Sequence, residues 1–350
     1  MGCLTTALAL LLPVAFATPV LQPRQEVQAV NVVLQVNKVT SEAAIDVWNR
    51  EKSEVFAHSC SRSLASGPFE NTPLVFTVNE YGAGNFSVGP QNYTIHDDLE
   101  ISGGIICGRI ASPGEIIVSC DVPVSASLQL KSLSKRDLQD CFPRGPVELN
   151  KLMRGLESTS TNVTAWLENS LSPPTARTSG VTEDAAFKRQ APCGTWSSRT
   201  VRVGNGDPHQ NPLNIQISDP MDCGQRACSV GYTQARSFTI GWTASATAWQ
   251  WLNGGFAVEM SAETGTSYEC HGQAHDYLAI WKKVGQTAYT VQNANYNVCT
   301  GLRRRGSPFV MWSPNANNRG TFFYCVYGRQ YVRWIGDRWL DTTPVPGGPP

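Results

Sequence analysis

Cysteine placement is the feature that most restricts how this chain can fold. The 350 residues include 11 cysteines, and Cys3 lies in an apolar N-terminal segment. The other cysteines form two even sets around a Lys-Arg pair, so each part of the chain can close its own disulfides. Spacing leaves the pairing open, although Cys107 and Cys120 flank a turn and predict a hairpin pair. The first set is Cys60, Cys107, Cys120 and Cys141, and the second is Cys193, Cys223, Cys228, Cys270, Cys299 and Cys325.

The N-terminus has the features of a secretory signal peptide. Residues 1–17 read MGCLTTALALLLPVAFA, an apolar run ending in the small-residue sequence Ala15-Phe16-Ala17. This run is shorter than the roughly 20 apolar residues that a membrane-spanning helix needs. We therefore expect segment 1–17 to be removed and the remaining chain to be secreted into the extracellular space, where disulfides persist.

A second processing site is indicated near the middle of the chain. Segment 172–189 is rich in turn-forming residues, lacks apolar periodicity and ends in Lys188-Arg189. Proteases cut exposed polar segments of this kind, so the pair predicts cleavage by a kexin-like protease of the secretory pathway. Another pair, Lys135-Arg136, lies close to Cys141, where folding would shield it.

Cleavage after Lys188-Arg189 would divide the chain into two parts of different character. Segment 18–171 becomes a pro-region and segment 190–340 a mature domain, followed by a Pro- and Gly-rich tail over 341–350 that we expect to be disordered. The pro-region has more acidic than basic residues, and the mature domain has the reverse. N-glycosylation signals occur only in the pro-region, at Asn85, Asn92 and Asn162.

Hydrophobic patterns predict an α+β pro-region and an all-β mature domain. In the pro-region, β-branched runs predict strands, and apolar spacing predicts helices over 41–53 and 147–171. In the mature domain, alternating and aromatic runs between turn signals predict a disulfide-rich sandwich or barrel. The predicted strands are 27–36, 74–78, 85–88, 93–95, 105–110 and 115–122 in the pro-region, and 200–203, 213–217, 238–251, 256–262, 277–284, 289–291, 321–327 and 331–335 in the mature domain.

Aromatic and basic residues of the mature domain predict a binding surface. Trp249 and Trp251 are two positions apart, so on a strand they share one face, and exposed aromatic residues on a β domain are typical of binding sites. The basic run Arg303, Arg304 and Arg305 could dock on an acidic surface or on anionic lipid headgroups. The net charge of the mature domain is too small to predict nucleic-acid binding.

The segment from Arg236 to Tyr268 suggests a second mode of action. Ser and Thr alternate with apolar residues on both sides of Asn253-Gly254-Gly255, which predicts a long hairpin. An ordinary sheet would explain this pattern. The hairpins of membrane-active, pore-forming toxins share it, because about 9–11 residues of strand cross a bilayer.

Metal binding and catalysis are weakly indicated. His271 and His275 share a face, but no third ligand is apparent, and Gly272 stands where a zinc protease needs Glu. A secreted ribonuclease could use Glu269, His271 and one of Arg303 to Arg305, provided that these side chains converge. We therefore expect no catalytic residues, no metal and no cofactor, and the ribonuclease remains an alternative.

Overall organisation makes the chain similar to secreted precursor proteins of filamentous fungi, particularly plant-associated ones. The similarity rests on Ala15-Phe16-Ala17, Lys188-Arg189 and the six cysteines after this pair. It implies an effector or toxin that acts without catalysis on a host or competitor protein, glycan or membrane surface. A membrane-active toxin, a secreted enzyme and an adhesive or cell-wall protein remain open alternatives.

Overall fold

The structure, a computed structural model, describes residues 27–134, 136–145, 147–158, 193, 196–231, 239–241, 261–264, 268–342 and 345–346. Strands dominate both parts of the chain. The elements before the predicted cleavage site are β1 Val27–Asn37, β2 Ala43–Asn49, β3 Val55–Ser59, β4 Ser63–Leu64, β5 Leu74–Val78, β6 Gly84–Val88, β7 Gln91–Thr94, α1 Leu99–Ser102, β8 Ile106–Ala111, β9 Glu115–Ser125 and α2 Leu149–Ser158.

After the predicted site, the described elements are all strands, apart from a short 3-10 turn at Ala316–Asn318. They are β10 Ser197–Arg202, β11 His209–Gln210, β12 Leu213–Gln216, β13 Met221–Asp222, β14 Cys228–Val230, β15 Thr239–Gly241, β16 Ser261–Glu263, β17 Cys270–Gly272, β18 Tyr277–Val284, β19 Gln286–Asn297, β20 Gly301–Pro314, β21 Phe322–Tyr327, β22 Arg338–Leu340 and β23 Val345–Pro346.

The largest sheet contains strands from both sides of the predicted cleavage site. Its order is β22-β12-β18-β21-β8-β9-β1-β2-β3, with β13 beside β18. The two parts meet where β8 pairs antiparallel with β21, with Ala111 opposite Cys325 and Arg109 opposite Tyr327. Since β8 would otherwise have an unpaired edge, the later part of the chain completes a sheet that the earlier part begins.

Apolar packing also joins the two parts. One core cluster combines Ile110 and Ile117 from the earlier part with Trp281, Tyr324 and Val326 from the later part. All of these side chains are almost fully buried. Burying apolar surface is the main favourable contribution to folding, so neither part retains this core without the other.

A buried ion pair lies at the same junction. The Arg109 guanidinium donates to the Asp276 carboxylate at 2.5 Å, and both side chains are 4% exposed. Arg109 also lies 4.2 Å from the centre of the Tyr327 ring. The Asp276 carboxylate accepts a second hydrogen bond from the backbone N–H of Gln273 at 2.6 Å. Buried charges are tolerated only when paired in this way.

A second sheet belongs entirely to the later part of the chain. Strands β10 and β11 pair with one edge of β19, and β20 pairs with its other edge. Strand β23 pairs with β11. The β19–β20 hairpin is long, with Gln286 opposite Pro314 at its base and Asn297 opposite Gly301 at its tip. The smaller sheets are β4-β5-β6-β7, β14-β17 and β15-β16.

All ten cysteines after the N-terminal segment form disulfides, and none crosses the predicted cleavage site. Cys107 and Cys120 pair across the β8–β9 hairpin, as the turn between them predicted. Such bonds are typical of proteins from oxidising compartments, including the extracellular space. The pairs are Cys60–Cys141, Cys107–Cys120, Cys193–Cys299, Cys223–Cys228 and Cys270–Cys325.

The predicted α+β pro-region is not observed, because its described residues are mainly strands. The predicted helix over 41–53 is wrong: Ala43–Asn49 is strand β2, whose apolar residues Ile45 and Val47 are fully buried between β1 and β3. Pairing on both edges outweighed the helical spacing. The predicted helix over 147–171 is confirmed as α2 across 149–158; residues 147 and 148 precede the helix, and 159–171 lies outside the described residues.

Further differences occur in the later part of the chain, where the short strands β11, β13, β14, β17 and β22 were also not predicted. The predicted strand over 331–335 is instead turn and irregular backbone. Strand β20 was not predicted, because its glycine, proline and arginine run interrupts the alternating pattern. Within the tail predicted to be disordered, Val345–Pro346 pairs with β11.

Among the described residues, no helix is both long enough and apolar enough to cross a membrane.

Candidate binding surface

The tip of the β19–β20 hairpin is the most exposed part of the second sheet. Every residue from Leu302 to Pro308 is exposed, whereas a strand covered on one face would alternate between buried and exposed positions. Both faces of β20 are therefore open here. Strand β20 carries Arg303, Arg304 and Arg305, so the predicted basic run lies on an accessible, ordered element.

Strand geometry separates the three arginines rather than forming the single patch that the sequence predicted. Arg303 and Arg305 lie opposite Asn295 and Asn293, and Arg304 lies opposite Ala294 on the other face. The Arg303 guanidinium lies 5.4 Å from the centre of the Trp196 ring, so the face that carries Arg303 and Arg305 also has an aromatic ring.

The opposite face has the same composition. Arg199 lies opposite Ala294, beside Arg304, and its guanidinium is 5.1 Å from the centre of the Tyr296 ring. Arg304 donates to the backbone oxygen of Arg202 at 3.5 Å. Each face therefore combines arginine side chains with one partly exposed aromatic ring.

Acidic residues are absent from these strands. Neither β10, β19 nor β20 contains Asp or Glu, and the whole segment 285–336 lacks them. The five arginines of β10 and β20 thus produce a local positive potential in a chain whose formal net charge is zero. Concentrated charge of one sign attracts oppositely charged partners over about a Debye length.

Apolar side chains cluster at the end of the same hairpin. Exposed fractions are 43% for Trp196, 37% for Tyr296, 52% for Val298 and 44% for Leu302. Val298 lies in the hairpin turn, Leu302 follows the turn on β20, and Tyr296 lies directly opposite Leu302. We call these four residues the apolar tip, because by strand register they lie at the turn end of the hairpin.

A disulfide fixes the start of the later part of the chain to the apolar tip. Cys193 is bonded to Cys299, which lies in the turn of the hairpin. The Asn297 side chain also donates to the backbone oxygen of Cys193. Arg189 is four positions before Cys193 in the sequence, so the predicted cleavage site is close to this disulfide along the chain.

Several predicted site residues lie outside the described part of the chain. They are Lys135, Asn162, Lys188, Arg189, Trp249 and Trp251. The base of the predicted 236–268 hairpin is described, and there β15 and β16 pair antiparallel with Thr239 opposite Glu263. The residues between these strands lie outside the described residues.

The two remaining glycosylation signals lie next to each other. Asn85 is opposite Thr94, and Asn92 is opposite Ser87, so each asparagine faces the hydroxyl residue of the other signal across β6 and β7. Both asparagines are exposed. The predicted acceptor sites thus share one face of the β4–β7 sheet.

The ribonuclease residues are not brought together. His271 is exposed on β17, where its ring lies 5.8 Å from that of Tyr81 in an edge arrangement. Burial raises the pKa of Tyr268, the neighbour of Glu269, to about 12, so this phenol remains protonated at neutral pH. Within the described residues, neither Glu269 nor His271 forms a hydrogen bond or ion pair with Arg303, Arg304 or Arg305.

The apolar tip was not predicted from the sequence. Trp196, Tyr296, Val298 and Leu302 show no periodic pattern, and they become neighbours only when β10 and β20 pair with β19. The lack of acidic residues over 285–336 was the available signal for a basic surface in this region.

Comparison with known proteins gives no relative from which a role could be transferred. No protein-family model, curated protein or solved structure matches the chain.

Proposed function

We propose that the protein is secreted, cleaved after Lys188-Arg189, and binds anionic membrane surfaces through the apolar tip and the arginines behind it. The main support for this proposal is the arrangement of the tip. Four exposed apolar side chains lie at the end of the hairpin, and five arginines lie behind them on β10 and β20, which contain no acidic residues. Apolar side chains can enter the interfacial region of a bilayer while arginines contact lipid phosphates. Each basic residue near an anionic surface contributes about 1 kcal/mol.

Cleavage is proposed to change the chain next to this tip. Cys193 is bonded to Cys299 in the hairpin turn, and Gln190 is three positions before Cys193 in the sequence. Cleavage after Arg189 would therefore create a free chain end at Gln190, three residues from the cysteine that is bonded to the hairpin turn.

The two parts are proposed to remain associated after cleavage, rather than separate as a shed pro-region and a free domain. The β8–β21 pairing, the common core and the Arg109–Asp276 ion pair support this proposal. No disulfide links the parts, so the association is noncovalent. Native and denaturing mass spectrometry of the secreted protein should therefore give one complex and two chains, respectively. Two separate species under native conditions would contradict it.

Binding can be tested by sedimentation of the cleaved protein with vesicles of phosphatidylcholine alone or with phosphatidylserine. We expect binding to the phosphatidylserine vesicles that decreases as salt is raised. Arg303→Gln with Arg305→Gln, and separately Trp196→Ala, should each weaken binding about tenfold. Arg226→Gln and Trp334→Ala alter exposed residues outside the second sheet and serve as matched controls.

Outcomes of this experiment separate the alternatives. Equal binding to both kinds of vesicle, or no effect of the arginine variants, would contradict the proposal. Retention on a sulfated polysaccharide without vesicle binding would assign the surface to an acidic glycan instead. Permeabilisation of vesicles would favour the pore-forming alternative for the 236–268 segment.

A further inference from the structure

The Cys60–Cys141 disulfide lies beside a histidine. His58 Nε2 is 3.1 Å from Cys141 Sγ and 3.8 Å from Cys60 Sγ. These three residues are close enough to suggest a metal site, but both sulfur atoms belong to the disulfide. The relevant chemistry is therefore that of a disulfide next to an imidazole.

Hydrogen bonding shows which form the imidazole takes. Nδ1 of His58 lies 2.7 Å from Asp46 Oδ1, and Nε2 lies 2.9 Å from the backbone oxygen of Gln139. Both neighbours are acceptors, so this arrangement favours the imidazolium form, in which both ring nitrogens donate. The hydrogen bond that His58 donates to Asp46 accordingly raises the pKa of His58, against a smaller opposing effect of burial.

Further hydrogen bonds hold the carboxylate in place. Gln35 Nε2 donates to Asp46 Oδ2 at 2.8 Å, and Asn150 of α2 donates to Gln35 Oε1 at 3.0 Å. Asp46 and His58 are 11% and 13% exposed. The imidazolium is thus oriented by a partly buried network that spans β1, β2, β3 and α2.

The two sulfur atoms differ in access. Cys60 is exposed, whereas Cys141 is 8% exposed and lies nearer to the imidazolium. An incoming thiolate reaches Cys60 more easily, and a thiolate leaving from Cys141 forms next to a positive charge. A neighbouring His⁺ lowers the pKa of a thiol, and a leaving thiol of lower pKa departs faster.

We propose that Cys60–Cys141 is a thiol-exchange site at which His58 promotes reduction by an external dithiol. The dithiol's first thiolate attacks Cys60 Sγ, the Cys60–Cys141 bond breaks, and its electron pair moves to Cys141 Sγ as a thiolate beside His58. The dithiol's second thiolate then attacks the mixed disulfide. This releases the Cys60 thiolate and leaves the dithiol oxidised to a disulfide.

Exchange would loosen the segment between β9 and α2. Cys141 fastens this segment to the end of β3, and the remaining contacts include Leu133 N–H to Val55 O at 2.7 Å and Ser132 Oγ to Glu54 Oε2 at 2.6 Å. Arg136 of the second dibasic pair is exposed on this segment. After mild reduction, trypsin should therefore cut after Arg136 faster than before; an unchanged rate would overturn this consequence.

Kinetics of reduction test the site itself. The full-length protein is exposed to dithiothreitol under native conditions, trapped with an alkylating agent at intervals, and analysed by peptide mass spectrometry. Cys193–Cys299 is the matched control, because both of its cysteines are exposed and no described histidine contacts them. We expect His58→Gln to slow the reduction of Cys60–Cys141 about tenfold and to leave the control disulfide unchanged. An unchanged rate for Cys60–Cys141 would overturn the proposal.

If His58→Gln alters folding, the reduction rates of all five disulfides should change together. A second measurement then tests the proposal. Wild-type protein treated with glutathione, a monothiol, should carry the mixed disulfide on Cys60 and an alkylated thiol on Cys141. The reverse distribution would overturn the assignment of Cys141 as the leaving sulfur. Asp46→Asn, which removes the charge but little volume, should slow reduction in the same direction as His58→Gln.

Discussion

The two larger sheets place arginine in opposite environments. In the first sheet, Arg109 is buried at the β8–β21 junction and held by a single carboxylate. In the second, Arg303 to Arg305 are exposed on β20, and neither β20 nor its partner β19 contains an acidic residue. A buried charge must be paired, so it fixes one arrangement of the chain. Exposed charges contribute little to folding and remain available to a partner.

Removing the buried charge should have the largest effect. Arg109→Ala leaves the Asp276 carboxylate buried without its guanidinium, so we expect a loss of about 3–5 kcal/mol in the free energy of unfolding. Urea unfolding followed by tryptophan fluorescence measures this loss. Arg305→Ala, in the second sheet, should change the free energy by less than about 0.5 kcal/mol.

Similar losses in the free energy of unfolding for these two variants would contradict the contrast between the sheets.

The double variant Arg109→Met with Asp276→Leu separates the effect of the charge from that of the packing. Because both charges are removed together, it should recover most of the stability lost in Arg109→Ala.

A steric change at the same junction should have an intermediate effect. A Cβ atom at Gly108 would lie 1.9 Å from Cε2 of the Tyr331 ring, so Gly108→Ala forces the ring or β8 to move. We expect a loss of about 1–3 kcal/mol, measured by the same unfolding experiment. Gly114→Ala is the control, because its nearest contact would be 3.9 Å away. Equal effects of the two substitutions would show that β8 and Tyr331 are not closely packed.

The smallest effect should be a pH dependence from His58. Its folded-state pKa is raised by Asp46, so its contribution is fully present below the unfolded pKa of about 6.5. The contribution is lost as pH rises through the folded pKa. The free energy of unfolding of wild type minus that of His58→Gln should therefore be larger at acidic than at alkaline pH. His209→Gln is the control, and a difference independent of pH would contradict this account.

Local sequence patterns predicted the positions of individual strands better than they predicted which strands pair with each other. Leu74–Val78 and Tyr277–Val284 match the predicted strands at both ends, because alternation and turn residues act within a few positions. Ala43–Asn49 was assigned to a helix because its apolar spacing fits both periods. Its place between β1 and β3 selects the strand.

The candidate site was predictable only in part. The arginine run was identified from sequence, and the structure places it on an exposed strand. Its division between two faces follows from the pairing of β20 with β19, which the sequence did not reveal. The apolar tip and the histidine beside Cys60–Cys141 depend on contacts between residues that are distant in the chain.

By itself the sequence determined that the chain is rich in strands and that its cysteines form two self-contained sets. Alternation, turn chemistry and an even number of cysteines on each side are local or countable properties, and they do not require knowledge of the fold. Only the tertiary structure decided that the two parts share one sheet, that the hairpin tip is exposed, and that one disulfide lies beside an imidazolium. The physical reason is that an unpaired strand edge can pair with any other unpaired edge. Which residues become neighbours therefore depends on how the whole chain packs.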